Sequence, residues 1–301
     1  MPARLAAFPK CFLDDLVVHR TMTLFDWIDL ASTLPHVEGL ELYPPAMESF
    51  EPEYLSRLRE AIARHGLETP MMCASPDFIH RDPRRRRDEV RAYERVLEAV
   101  AVLGGTTCRI LSGQRQPGVS REEGVRWTVQ AIRELLPVAE QHGVVLVMEN
   151  HYKDGYWQYP EFAQERSIFL EIVEQIDSPW FGVNYDPSNA LIAGDDPIEL
   201  LEAVRSRVVT MHASDRSLEG GTLEDLRRID ADPLAGYAPF VKHGVIGQGL
   251  IDYDHVFELL GAAGFEGWIS IEDGQDAERG MDDLRQSAEF LHQKLVEHGL
   301  A

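Results

Sequence analysis

Four short apolar runs late in the chain each lead into a residue that can bind a cation or move a proton. VVLVMEN carries Glu149, FGVNYDPSN carries Asp186, VVTMHASD carries His212 and WISIEDG carries Glu272. One such residue is ordinary, since an Asp can cap the next helix and a His can sit satisfied in a core. Four in succession, each just past an apolar run, point to a built site. Three carboxylates brought into one pocket would repel, and burial would raise their pKa values until some became neutral. A divalent cation removes that conflict. Three oxygen donors and one imidazole nitrogen suit a hard to intermediate ion, Mn2+ ahead of Mg2+ or Co2+, better than a thiolate-type zinc site. Water or substrate oxygens would complete the coordination.

The elements that must position these residues follow from periodicity. Strand-like runs at 5–8, 39–42, 69–73, 107–111, 144–149, 182–185, 208–212 and 268–272 alternate with amphipathic stretches. The latter lie at 24–32, 52–65, 87–103, 121–142, 168–176, 197–204, 253–263 and 282–298. Tyr54, Leu55, Leu58 and Ile62, for example, recur at helical spacing. Gly66, Gly104, Gly143 and Gly264 fall where a left-handed cap would end a helix. Such alternation implies right-handed parallel crossovers. Eight units in 301 residues predict an α/β chain folded as a single (β/α)8 TIM barrel over 1–301. All four chemical strand ends then open on one face, where barrels build active sites. No G-x-G-x-x-G follows the first strand, so no nucleotide cofactor is expected. The stretch 214–251, with Gly220, Gly221, Gly236, Gly244, Gly247 and Gly249, breaks the rhythm and reads as a functional loop.

Charge narrows the partners. A formal charge of −22 repels a phosphate backbone unless a basic face is kept apart. The run Arg84–Arg87 is flanked by Asp82 and Asp88 and followed by Glu89, Glu94 and Glu98, which reads as a solvated helix start. No nucleic-acid partner is expected. No apolar run approaches the roughly 20 residues of a bilayer span, so no membrane partner is expected either. The amino terminus lacks the long apolar stretch of a secretory signal. Cys11, Cys73 and Cys108 lie far apart without a C-x-x-C, which fits a reducing, cytoplasmic setting. Other candidates crowd the predicted mouth. His151 lies two residues past Glu149, Trp157 follows in ENHYKDGYWQYPEF, Lys10 follows the first strand and His243 lies in the long loop. Phe8, Tyr43, Trp157 and Tyr185 are candidates for an aromatic wall of that mouth, and His80 for its rim.

The strand endings, with Glu41 in GLELYPP, Arg216 in HASDR and the segment GQGLIDY, resemble the sugar phosphate isomerase/epimerase superfamily. This is the xylose-isomerase-like TIM-barrel group of ketose 3-epimerases, hydroxypyruvate isomerases and inosose dehydratases. The resemblance spans essentially the whole chain. It implies that Glu149 and Glu272 bind metal and also move protons, that Asp186 and His212 complete the ligand set, and that Arg216 contacts substrate near the metal. Glu41 enters as a substrate contact on the same ground. One departure stands out: Asn189 occupies the position where epimerase relatives carry a substrate-contacting His. Asparagine can hydrogen-bond a hydroxyl but cannot act as a cationic donor.

The expected activity is a divalent-metal-dependent sugar isomerase or epimerase, moving protons through a metal-stabilised enediolate on a ketose or keto-sugar. The rival keeps the site and expels a β-substituent from an oxidised, 3-oxo glycoside, as in C-glycoside-deglycosidase-like relatives, with His151 or His243 as acid. A homo-oligomer is compatible with either, and a small partner subunit with the lyase. Two further alternatives are an endonuclease-IV-like repair enzyme, which the acidic charge opposes, and a catalytically silent sugar-binding barrel, which the intact carboxylates oppose.

Overall fold

The computed structural model describes residues 2–225, 240–274 and 277–301. Eight parallel strands form one sheet: β1 (Arg4–Ala7), β2 (Val37–Leu40), β3 (Met71–Cys73), β4 (Thr107–Ile110), β5 (Val145–Glu149), β6 (Phe181–Tyr185), β7 (Val208–Ala213) and β10 (Trp268–Ile271). Their order is β2-β1-β10-β7-β6-β5-β4-β3. Between the two end strands lie only the bridges Gly39 to Glu68 and Leu42 to Met72, so the barrel closes along a sparse seam. At the amino-terminal end of that seam Trp268 lies over Gly39. A Cβ there would meet the indole at 2.7 Å, so only glycine admits the ring. Arg4 stacks over the Trp268 ring at 4.1 Å and reaches Glu38 and Glu68 at 3.1 and 2.8 Å.

The helices run between the strands on the outside: α1 (Leu24–Ala31), α2 (Pro52–Arg64), α3 (Pro83–Leu103), α4 (Arg121–His142), α5 (Arg166–Glu174), α6 (Pro187–Ile192), α7 (Pro197–Val204), α8 (Tyr253–Ala262) and α9 (Gly280–Glu297). Each buries an apolar stripe; in α2 it is Tyr54, Leu55, Leu58, Ala61 and Ile62. Capping boxes open α1 (Thr23 with Asp26) and α4 (Ser120 with Glu123). Gly104 and Gly143, at φ of 83° and 67°, end α3 and α4 in the left-handed region.

Three boundaries differ from expectation for physical reasons. Helix α3 starts at Pro83, not 87, because Asp82 caps the Arg84 amide and proline tolerates the first turn. The arginine run therefore lies inside the helix, with Arg84, Arg85 and Arg87 exposed to solvent. Helix α6 was not anticipated; Asp186 caps its first turn through the Asn189 amide, and Pro187 sits at its first position. The stretch 214–251 is not plain loop: β8 (Arg216–Leu218) pairs antiparallel with β9 (Val241–His243). Residues 226–239 of it, Gly236 included, lie outside the described residues.

Candidate metal centre

Strand ends β5, β6, β7 and β10 deliver Glu149, Asp186, His212 and Glu272 to one point. One ligand atom from each lies within 4.8 Å of all the others, and all four residues are buried. The pleat accounts for the convergence. Parallel register pairs Ser270 with His212 and Glu149 with Asn184, so successive strands bring their last inward-facing positions to the same height.

The four are held very differently. Glu149 receives Arg109 Nη1 at 2.7 Å on one oxygen, and Asn189 Nδ2 at 3.1 Å and His212 Nδ1 at 3.0 Å on the other. Burial alone would raise its pKa, but His212 and Arg109 outweigh it and hold the carboxyl down to about 2. Glu272 meets Lys10 Nζ and His212 Nδ1, each at 3.0 Å. Against burial, Lys10 and then His212 hold it well below the usual carboxylate range. Among the described residues Asp186 has no cation in contact. Its Oδ1 accepts from the Asn189 amide (2.9 Å), Ser214 Oγ (2.8 Å) and Ser188 Oγ (3.1 Å), while its buried Oδ2 has no hydrogen-bond partner. Burial, then the charges of Glu149 and Glu272, push Asp186 up to about 6. Burial opposes charge on His212, yet Glu41, Glu149 and Glu272 together raise its pKa well above the usual imidazole range.

Glu41 is not where a substrate contact would be. It is fully buried, and both its oxygens face His212 Nε2 at 2.9 and 3.0 Å. This is the placement of a carboxylate that orients a ligating histidine from behind. Glu41, Cys73 and His212 form a second close group, but burial pushes the Cys73 thiol well above its usual range, so it offers a neutral thiol.

A cavity of about 510 Å3 opens above the cluster. Glu272, Lys10, His151 and His243 line it, together with Phe8, Tyr43 and Arg109. His151 is buried, its Nδ1 3.7 Å from Glu161 Oε2, and His243 places Nδ1 3.2 Å from Asp273 Oδ1.

Several other expected contacts lie elsewhere. Arg216 is buried away from the lining, because β8 begins there and its Nη1 reaches the Asp215 carbonyl (2.8 Å) and Asp273 (3.3 Å). Asn189 turns to Glu149 rather than to the cavity. Trp157 borders a neighbouring groove while Tyr156 faces the cavity, because the turn closed by Trp157 N and Asp154 O (3.0 Å) splays consecutive side chains apart. Tyr185 is buried and donates to the Pro197 carbonyl, and His80 packs at the start of α3. Arg109 went unanticipated although it carried a signal, a lone charge inside the apolar run Thr107–Ile110. Asp154, Glu161 and Asp273 are distant in sequence from what they hold and gave none.

Residues 28–294 match the xylose isomerase-like TIM barrel family, and the chain belongs to it. An inosose dehydratase from Geobacillus thermodenitrificans is 26% identical over 161 residues, 52% of this chain and 50% of that protein. The chain spans about half the length of the curated relatives it matches. Among solved structures, a D-tagatose 3-epimerase-like protein superposes with a TM-score of 0.74 at 20% identity, covering 98% of both chains. The IOLI protein with a bound zinc atom superposes with a TM-score of 0.75 at 18% identity, covering 98% of this chain and 99% of that one. At these identities the structural likeness shows the fold. Among the described residues no helix is long and apolar enough to cross a membrane.

Proposed function

We propose that this chain is a divalent-metal-dependent enzyme that moves protons beside the carbonyl of a ketose or keto-sugar, as an isomerase or epimerase. The observation that carries the reading is the buried set Glu149, Asp186, His212 and Glu272 beneath a polar cavity, with Asp186 Oδ2 lacking any hydrogen-bond partner. A buried carboxylate oxygen left so is costly unless it faces a cation, and the donor set fits Mn2+ first, with Mg2+ and Co2+ as alternatives. The zinc in the related IOLI structure supports a divalent ion without choosing it. When bound, such an ion supplies Lewis-acid polarisation of the substrate's carbonyl and neighbouring hydroxyl oxygens.

The protein's own groups then divide the work. Glu272, in the cavity lining and kept ionised by Lys10, takes the proton from the carbon next to the carbonyl. Lys10 and Arg109 offer cationic donors to oxygens that gain charge. Glu149, held ionised by Arg109 and Asn189, is the second carboxylate; it returns a proton to the carbon after taking one up from solvent, to which Glu272 gives up the one it removed. Return to the same carbon from the other face epimerises; return to the neighbouring carbon isomerises.

One observation favours elimination as a second reading: His151 and His243 both line the cavity, each with Nδ1 turned towards a buried carboxylate. Either ring can protonate a β-substituent as it leaves. The similarity to an inosose dehydratase points the same way. Free cysteines favour a cytoplasmic setting, and the charge of −22 disfavours nucleic acid. The test is incubation of the Mn2+-loaded protein in D2O with ketoses, keto-inositols and 3-oxo glycosides. Deuterium entering the substrate without cleavage fits the first reading, and release of a leaving group fits the second. Neither event on any of these, with one ion bound per chain, would sink both.

A further inference from the structure

The polar cavity continues past its aromatic edge. Tyr43, Asp154 and Tyr156 line it on one side and, on the other, line a second groove of about 350 Å3. That groove is walled mainly by apolar groups, among them Val17, Pro44, Pro76, Val96 and Trp157. The dividing wall is built. The rings of Tyr43 and Tyr156 lie nearly parallel, at 21°, with centroids 6.4 Å apart. Asp154 holds both: one oxygen accepts from Tyr43 Oη (3.3 Å) and Ser75 Oγ (2.7 Å), the other from the Tyr156 amide (2.9 Å).

Single exposed aromatics are ordinary. Here Tyr156, 47% exposed, stands beside Trp157 at the junction of a polar cavity and an apolar one. The charged residues in the groove lining are Glu89 and Asp154, both acidic, which repel a phosphate or carboxylate. The few polar side chains there are too sparse to satisfy the hydroxyls of a second sugar. Flat aromatic and proline walls instead suit a neutral, planar ring.

We infer that the groove is a subsite for an aromatic substituent on the sugar, so that the substrate is an aryl-substituted keto-sugar rather than a free or phosphorylated one. The inference rests on the keto-sugar reading of the adjoining cavity. Its occupant follows from adjacency, since the cavity and the groove share the edge Tyr43, Asp154 and Tyr156, over which a substituent on a sugar in the cavity can reach into the groove.

Calorimetric titration of the Mn2+-loaded protein with the 3-oxo forms of phenyl and methyl β-glucoside tests this. The phenyl compound should bind at least tenfold more tightly, about what burying one aromatic ring provides. Trp157→Ala should abolish the preference. Val96→Glu, on α3, should do the same and decides the matter if the Trp157 variant folds poorly. Equal affinities, a preference surviving both substitutions, or binding of neither glucoside would overturn the inference. So would a Trp157-dependent dimer in sedimentation without aryl preference, which would assign the groove to a second copy of the chain. If the aryl preference holds but no substrate proton exchanges in D2O, the keto-sugar reading fails and the subsite stands.

Discussion

The two halves of the barrel contribute different groups to one centre. Strands β5, β6, β7 and β10 bring the carboxylates and the imidazole of the cluster. The early half answers with Lys10 after β1, Glu41 after β2 and Arg109 on β4. The late half thus assembles a concentrated anion, and the early half sets how strongly each member stays ionised. Glu149 has Arg109 and Glu272 has Lys10; Asp186, reached by no early-half cation, is the one pushed up to about 6. The difference leaves Asp186 as the member whose charge is least compensated by the protein's own cations.

Breaking the late half should have the largest effect. Asp186→Asn or Glu272→Gln should weaken ion binding by more than the roughly 10–100-fold typical of an outer-shell loss and abolish turnover, read by elemental analysis and the D2O assay. Retained occupancy in both would refute the centre. Next comes Arg109→Met, which leaves the Glu149 charge buried without its guanidinium partner. It should destabilise by about 3–5 kcal/mol in urea unfolding, and Arg109→Met with Glu149→Gln should recover part of that loss. Glu41→Gln should lower ion affinity by about 10–100-fold through a loosened His212, with little change in folding.

The smallest effect sharpens the contrast. Thr23→Ala removes the α1 cap in the early half and should cost about 1 kcal/mol without changing ion affinity. Hydrogen bonds from the Thr23 amide and hydroxyl hold Asp26 below its usual pKa. Its stabilisation is therefore present above about 3.8 and fades as pH falls through the lower folded value. The gap between wild type and Thr23→Ala should narrow in strong acid, where the hydroxyl-to-Asp26 bond is lost and the cap on the Asp26 amide remains.

Much of this arrangement was legible in the sequence, because a charged residue ending an apolar run is a local signal. The four late strand ends, Lys10, His151 and His243 follow from position alone. What escaped depended on distance or turn geometry. Nothing near Glu41 shows that it stands behind His212 rather than facing a substrate. The choice between Tyr156 and Trp157 at the cavity edge is set by one turn hydrogen bond. Arg109 was visible as a charge inside a strand, but its meaning required Glu149, forty residues later. The Asp-Pro start of α6 is a cap signal overshadowed by reading Asp186 only as a ligand.

The sparse joint between β2 and β3 has a mechanical consequence. Glu41 lies between the two bridging positions, Gly39 and Leu42, so the residue steadying the imidazole is mounted on the least-fastened stave of the barrel. Amides at 40, 42, 68 and 73, which stitch that joint, should exchange with solvent sooner than those shared by β5 and β6. Each such opening slackens the grip on His212, so how often the stave parts sets how steadily the imidazole is aimed.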